Sequence, residues 1–199
     1  MSEYKQRISS RSKFRFYLGA LARLSPYIRY GFYRWLARKK GALIGQNSVI
    51  NYQLAKNANE NLIIGNNCSI QTDKIDLRAK VIIGNNVIIG QNVEIIVASH
   101  NINSPEWELK LYGINIEDYV WLATNSFVLP SCRVIKYGAV CGAGSIVNKN
   151  VDAMSVVSGN PAKEIKKRET IHSDLVVPSL LGGDLKSYIE TYKYYGKKN

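Results

Sequence analysis

The chain has 199 residues, of which 46% are hydrophobic, so it is long enough for one domain with its own core. It lacks an apolar run of 18 or more residues and a signal-peptide pattern, so we expect neither a transmembrane helix nor export. Three cysteines within a repeated pattern favour buried thiols in a reducing compartment, and we therefore expect a cytoplasmic protein.

The formal charge of +12 is concentrated in residues 1–40, a basic and aromatic segment with eleven Lys or Arg and one acid, Glu3. This segment carries +10, which leaves +2 for the remaining 159 residues. Proline disfavours a helix interior, so Ser25-Pro26 predicts two short helices. Two roles remain open and can coexist: a cap over the open end of the next domain, and a surface that contacts anionic lipid. No nucleic-acid module is recognisable, so we expect no nucleic-acid partner.

Residues 41–162 repeat with a period of six, with an aliphatic residue followed by Gly and then Asn or Asp, as in Ile64-Gly-Asn-Asn and Ile83-Gly-Asn-Asn. This period excludes an amphipathic helix and fits short parallel strands joined by tight turns. Three repeats form one triangular coil, and coils are stable only when stacked. Residues 51–62 are predicted to be an irregular coil. One-residue insertions are expected near Lys74–Lys80 and Ser131–Val134.

The repeat pauses at His100, and residues 101–115 form a predicted loop. Loops on a rigid scaffold commonly carry functional residues, and imidazole can take a proton from a hydroxyl group near neutral pH. His100 is therefore the candidate general base; the alternative is a solvent-facing turn residue. Asn101, a nearby backbone carbonyl or a residue of an adjacent chain could orient it.

Residues 163–199 form a predicted helical tail. The basic run Lys163–Arg168 is expected to begin a short helix, and Leu185–Tyr195 has the pattern of an amphipathic helix.

An ordered set of motifs carries a family resemblance. They are Ser99-His100-Asn101, Trp107, Ile116-Glu-Asp-Tyr-Val-Trp121, Leu129-Pro130, Gly142-Ala-Gly-Ser-Ile-Val-Asn-Lys149 and Gly159-Asn-Pro-Ala-Lys163. The chain resembles the hexapeptide-repeat acyltransferases, especially the sugar O-acetyltransferase branch with maltose, galactoside, colanic-acid and capsule enzymes. This resemblance implies an all-β left-handed parallel β-helix with terminal helices, direct transfer from acetyl-CoA, and homotrimers with sites between subunits.

The resemblance also implies binding roles for individual residues. The residues expected near CoA are Trp121, Thr124, Gly142, Ala143, Gly144, Ser145, Asn148, Lys149, Lys163 and Lys166. Those expected near the acceptor are Gln71, Asn101, Trp107 and Tyr112. Purely structural alternatives are a corner aromatic for Trp121, an ordinary polar coil residue for Gln71 and a solvated basic face for the lysines. No metal is expected.

The favoured function is O-acetylation of a saccharide during surface polysaccharide synthesis, with an acceptor that could be lipid-linked at the inner face of the membrane. Alternatives are N-acetylation of a nucleotide-linked amino sugar and a non-catalytic scaffold. A β-helix carbonic anhydrase needs three zinc-bound histidines, and the chain has two.

Overall fold

The computed structural model describes residues 1–196; the last three residues of the predicted tail lie outside this range. The helices are α1 (Glu3–Ser9), α2 (Lys13–Lys39), α3 (Tyr52–Asn57), α4 (Leu185–Tyr195) and a 3₁₀-helix at Val177–Leu181. The strands are β1 (Leu43–Ile44), β2 (Leu62–Ile64), β3 (Ser69–Ile70), β4 (Val81–Ile83), β5 (Ile88–Ile89), β6 (Glu94–Ile95), β7 (Ala98–His100), β8 (Leu109–Leu111), β9 (Ile114–Ile116), β10 (Trp121–Leu122), β11 (Phe127–Val128), β12 (Val134–Ile135), β13 (Val140–Cys141), β14 (Ile146–Val147), β15 (Ser155–Ser158) and β16 (Lys163–Lys167).

The strands of the repeat form three parallel faces that the chain visits in turn. The first sheet has the order β1-β2-β4-β9-β12, the second contains β3-β5-β10-β13-β15, and the third is β6-β11-β14. Successive turns of the chain thus stack as parallel strands, as the six-residue period predicts. Among residues 1–196, no helix has the length and apolar character needed to cross a membrane.

In each of the three sheets, one buried residue per parallel strand stacks directly on its counterpart in the next strand, and these stacks form much of the core. The stack of the first sheet is Ile44, Ile64, Ile83, Ile116 and Ile135; that of the second is Ile70, Ile89, Leu122, Cys141 and Val157; that of the third is Ile95, Val128 and Val147. Burying one such aliphatic side chain stabilises the fold by roughly 1.5–3 kcal/mol. All three cysteines are free and buried, and burial raises the pKa of the Cys68 thiol to about 11.

The glycines and asparagines of the repeat meet different structural requirements. Glycine and asparagine both tolerate positive φ, but at the corner after the first sheet it is Asn47, Asn67 and Asn86 that adopt φ near +57°. The glycines are required where coils approach closely. A Cβ on Gly65 would lie 2.6 Å from the carbonyl oxygen of Gly84. Glycine is thus selected here by backbone contact.

The same corner carries a ladder of side-chain hydrogen bonds. Asn66 Oδ1 accepts from the backbone N–H of Gln46 at 2.7 Å, Asn85 Oδ1 from that of Asn66 at 2.8 Å, and Asp118 Oδ1 from that of Asn85 at 2.7 Å. Each turn is therefore tied to the turn of the next coil through otherwise unpaired backbone groups.

Helices α2 and α3 cover the N-terminal end of the coil. Ala37 of α2 and Leu54 of α3 belong to the core cluster, so segment 1–40 does act as a cap. The irregular coil predicted for residues 51–62 is wrong. Asn51 accepts a hydrogen bond from the backbone N–H of Leu54 at 2.7 Å and starts a helical turn that buries apolar side chains at the open end.

The predicted break at Ser25-Pro26 is also wrong, because α2 runs through Pro26 and the gap between helices falls at residues 10–12. An interior proline costs about 3 kcal/mol. Tertiary contacts on both sides compensate: Phe16 stacks on Tyr192 with ring centroids 3.9 Å apart, and Ala37 is fully buried at the other end.

The C-terminal segment returns along the coil and packs against the N-terminal helices. The helix expected from Lys163–Arg168 is wrong: β16 pairs antiparallel with β15 as a final edge strand. The amphipathic helix predicted at Leu185–Tyr195 is confirmed as α4. Just before it, buried Asp184 accepts from Tyr4 at 2.6 Å and pairs with Arg23 at 3.0 Å. Burial of the Tyr4 hydroxyl, and then its hydrogen bond to the Asp184 carboxylate, raise the pKa of Tyr4. This network joins α1, α2 and α4.

The close approach of coils at the glycine corner can be tested by adding one methyl group. We expect Gly65→Ala to lower the free energy of unfolding by roughly 2 kcal/mol or more, because backbone must move to admit the Cβ. Gly31→Ala is the matched control, since the nearest atom to its Cβ would be 3.9 Å away on α2 and alanine favours a helix by up to about 1 kcal/mol. Denaturant melts of both variants check this; equal effects would contradict it.

Candidate functional site

The interruption of the repeat is a two-stranded arm. The predicted loop over residues 101–115 is wrong in form, since β7 and β8 pair antiparallel with His100 opposite Leu109, and β9 begins at Ile114. Asn101 donates its backbone N–H to the Glu108 carbonyl at 2.9 Å and closes the tip. The arm therefore holds the end of β7 at a defined position, which a disordered loop would not do.

The arm projects from the corner between the third and first sheets, where neighbouring coils also contain inserted residues. The two predicted insertions, near residues 74–80 and 131–134, fall at this same corner one coil below and one coil above the arm. Asp76 from the lower coil accepts from the backbone N–H of Val97 at 3.4 Å. Arg133 from the upper coil lies 4.2 Å from the ring of Tyr112. These braces were not predicted from the sequence; the insertions are the signal that could have located them.

His100 is exposed and oriented through the main chain. Its Nδ1 lies 2.7 Å from the Trp107 carbonyl oxygen, and its ring stacks on the Trp107 indole with centroids 5.8 Å apart. A carbonyl only accepts, so the proton of the neutral ring must be on Nδ1, and the lone pair is on Nε2. Of the three candidate orienting groups, the structure selects the backbone carbonyl.

Trp107 is held in an uncommon backbone conformation to make this contact. Its φ is +50°, a region that bulky residues rarely adopt. Its N–H donates to Ser104 at 3.1 Å, which fixes the tight turn. Asn101 serves the same turn, because its side-chain oxygen accepts from Asn103. Contacts within the arm thus fix the turn that places the Trp107 carbonyl beside His100.

The expected CoA residues fall into separate groups. Thr124 and the small residues Gly142, Ala143 and Gly144 form a column at the corner between the second and third sheets, where the Gly144 N–H donates to Thr124 at 3.1 Å. Ser145 differs: it is fully buried and its hydroxyl donates to the Gly142 carbonyl at 2.7 Å, so it offers no side chain to a ligand.

A second group lies on the outer face of the second sheet. Trp121 is half-exposed and shares a cavity of about 520 Å³ with Lys166 and with two residues that sequence reasoning missed, Arg168 and His172. Arg168 donates to the carbonyl of Tyr119 at 3.1 Å, which holds the strand end over the sheet. Lys163 is exposed at the start of β16.

Of the remaining candidates, Asn148 and Lys149 lie at a different corner, and Gln71 lies at the corner of the column. Asn148 and Lys149 follow β14 at the corner between the third and first sheets, with the Asn148 carbonyl accepting from Ser131 at 2.7 Å. Gln71 follows β3 at the corner between the second and third sheets, where its N–H donates to Ile89 at 2.9 Å. His100 and Gln71 thus occupy opposite edges of the third sheet and are not brought together within one chain.

Within residues 1–196, no group of three or more His, Cys, Asp or Glu side chains could hold a metal ion. Of the candidate residues, His100 is the one whose exposed imidazole can carry out acid–base chemistry.

Comparison with known proteins relates this geometry to one group of enzymes. WcaF of Escherichia coli (strain K12), named as a colanic acid biosynthesis acetyltransferase, is 32% identical over 145 residues, which are 72% of this chain and 79% of that protein. The chain spans about half the length of other curated relatives, among them galactoside O-acetyltransferase of Lactococcus lactis, which is 35% identical over 100 residues that cover 47% of this chain and 45% of that protein. No family model matches the chain.

Solved structures share the fold. The hexapeptide-repeat acetyltransferase VCA0836 of Vibrio cholerae, solved with acetyl-CoA, has a TM-score of 0.54 and 24% identity over 84% of each chain. Galactoside acetyltransferase, solved with coenzyme A, has a TM-score of 0.57 and 20% identity over 87% of this chain and 90% of that chain.

The tautomer of His100 can be read directly. We expect the neutral ring to carry its proton on Nδ1, because the Trp107 carbonyl can only accept, whereas exposed His172 should show the Nε2–H form favoured by imidazole in water. Two-bond proton–nitrogen NMR correlation separates the tautomers, and the chain has only these two histidines to assign. An Nε2–H form at His100 would contradict the proposed orientation.

Proposed function

Because the chain belongs to the hexapeptide-repeat acetyltransferase family and is therefore an acyltransferase, we propose that it transfers acetyl from acetyl-CoA to a hydroxyl of a saccharide. The observation that carries this proposal is His100, exposed on a rigid arm with Nδ1 engaged by a main-chain carbonyl and Nε2 free. That arrangement supplies a general base of fixed direction.

The proton and the acyl group move in one direct exchange. His100 Nε2 takes the proton of the sugar hydroxyl as its oxygen bonds to the thioester carbonyl carbon. The resulting tetrahedral oxyanion collapses, the carbon–sulfur bond breaks, and the CoA sulfur leaves with the proton returned from the imidazolium. The products are an acetyl ester and free CoA thiol, and His100 regains its starting tautomer.

A complete site is proposed to need two chains. The column at Thr124 and Gly142 lies at a different corner from the His100 arm, so His100 of one chain would face the column of its neighbour in a homotrimer. A left-handed coil, as the family resemblance implies, is part of this proposal. The pantetheine arm would run along the small residues, with Lys149, Lys163 and Lys166 suited to the CoA phosphates.

The acceptor class rests on the relatives. Their names include colanic acid biosynthesis and a galactoside, so a saccharide of a surface polysaccharide, acetylated in the cytoplasm or at the inner face of the membrane, is the proposed substrate. Trp107, whose ring stacks on His100, and Tyr112, at the base of the arm, are the residues proposed to contact it. N-acetylation of a nucleotide-linked amino sugar is the alternative on the same scaffold.

The role of His100 is tested by thiol release from acetyl-CoA with a panel of oligosaccharides. His100→Ala should lower kcat by roughly 10²–10⁴-fold, because the general base is lost. Asn103→Ala, an exposed substitution on the same arm, is the control and should retain activity. Full activity of His100→Ala would contradict the role of His100 as the general base.

The bond formed distinguishes the two acetylation reactions. The product with the best acceptor is treated with hydroxylamine, which cleaves esters and spares amides. We expect release of the acetyl group. A resistant product would replace O-acetylation with N-acetylation of an amino sugar.

A further inference from the structure

Helix α2 exposes a continuous apolar stripe along its length. Its members recur every three or four residues and are 43–72% exposed: Phe14, Tyr17, Leu18, Leu21, Leu24, Ile28, Phe32 and Trp35. From Phe14 to Trp35 the stripe extends about 32 Å at 1.5 Å per residue. Exposed patches of this size mark interaction surfaces.

The stripe lies opposite the face with which α2 caps the coil. Tyr30 and Ala37 are buried on that inner face, and at 100° per residue they lie roughly 140–160° from Phe14. The core therefore accounts for one side of α2 and leaves the apolar side uncovered within residues 1–196. A helix that only capped the coil would be polar on this outer side.

Basic residues border the stripe, and α2 has no acidic residue. Arg15 and Arg29 lie along one border, Lys13 lies on the other, and all three are exposed. Other α2 arginines are occupied within the fold: Arg23 pairs with Asp184, and Arg34 donates to the Ser48 carbonyl at 3.0 Å. Arg29 donates to the Tyr30 hydroxyl at 3.4 Å but stays exposed, so Lys13, Arg15 and Arg29 are the exposed cations that lie beside the apolar stripe.

We propose that this face docks the protein on an anionic membrane surface, with α2 in the plane of the interface. Aromatic and aliphatic side chains would enter the headgroup boundary, while the bordering cations meet lipid phosphates. A second copy is disfavoured as the occupant, because a symmetric contact through the stripe would bring basic borders together with no acid on α2 to oppose them. This docking would be independent of the acetyl transfer proposed above.

Point substitutions test the proposal better than deletion of residues 1–40, since Ala37 belongs to the core and its removal would open the coil. Leu21→Glu places a charge at the centre of the stripe at a side chain that is 66% exposed. Ile102→Glu makes the same change at a 72% exposed position on the arm and is the matched control.

Binding is measured by cosedimentation with vesicles of phosphatidylcholine containing phosphatidylglycerol, and with phosphatidylcholine alone. Wild type should prefer the anionic vesicles and release them as salt is raised. Leu21→Glu should lower the partition coefficient by about tenfold or more, and Ile102→Glu should leave it unchanged. Arg15→Gln and Arg29→Gln should each lower it about fivefold on anionic vesicles only.

Three results would overturn the proposal. Wild type could fail to bind anionic vesicles, Leu21→Glu could bind as wild type does, or both acidic variants could lose binding equally. Light scattering identifies the rival occupant: a fall in the mass of Leu21→Glu, with no vesicle binding by wild type, would assign the stripe to a second copy. Thiol release with a soluble acceptor, unchanged in Leu21→Glu, keeps this test separate from that of the transfer reaction.

Discussion

The close stacking of one coil on the next is the constraint on which the rest of this structure depends. Parallel hydrogen bonding fixes the spacing between coils, and at the first corner that spacing leaves no room for a Cβ on Gly65. The same spacing places Ile64 directly over Ile83 in the core. Backbone contact at the corners requires glycine, and contact in the core requires an aliphatic residue, once in every six residues. The two requirements therefore give the same period, and the coils stack into a prism.

A stacked prism has an open end, and this determines much of the sequence outside the repeat. Without a cover, the first coil would leave Ile44 and its unpaired strand exposed. Helices α2 and α3 close it with Ala37 and Leu54. Because the buried inner face of α2 accounts for its capping role, the apolar outer face must have another cause. Helix α2 thus has two apolar faces: one packs on the core, and the other is the exposed stripe.

Sequence periodicity predicted the parallel coil because each repeat reports its own local geometry. Predictions from sequence were wrong where tertiary contacts, rather than local sequence, determine the secondary structure. Pro26 breaks an isolated helix, but the packing of Phe16 on Tyr192 keeps α2 continuous. Lys163–Lys167 has no strand-like alternation, yet β15 offers it an edge to pair with. At the candidate site, the pause in the repeat predicts His100, whereas the group that orients its ring is a main-chain carbonyl, which no side-chain motif encodes.

That main-chain partner also explains why the site is built on an arm. A carbonyl can orient His100 only if the chain turns back beside it, and the pairing of β7 with β8 provides this return. The arm needs a corner that tolerates extra residues, and it occupies the one where neighbouring coils already carry insertions. This choice places His100 away from the column at Gly142, on the opposite edge of the third sheet. In the proposed mechanism, base and donor therefore meet across a contact between chains, because stacked coils hold the two corners of one chain apart. Assembly is then a condition of the proposed chemistry, because the rigidity that fixes His100 also prevents one chain from completing the site.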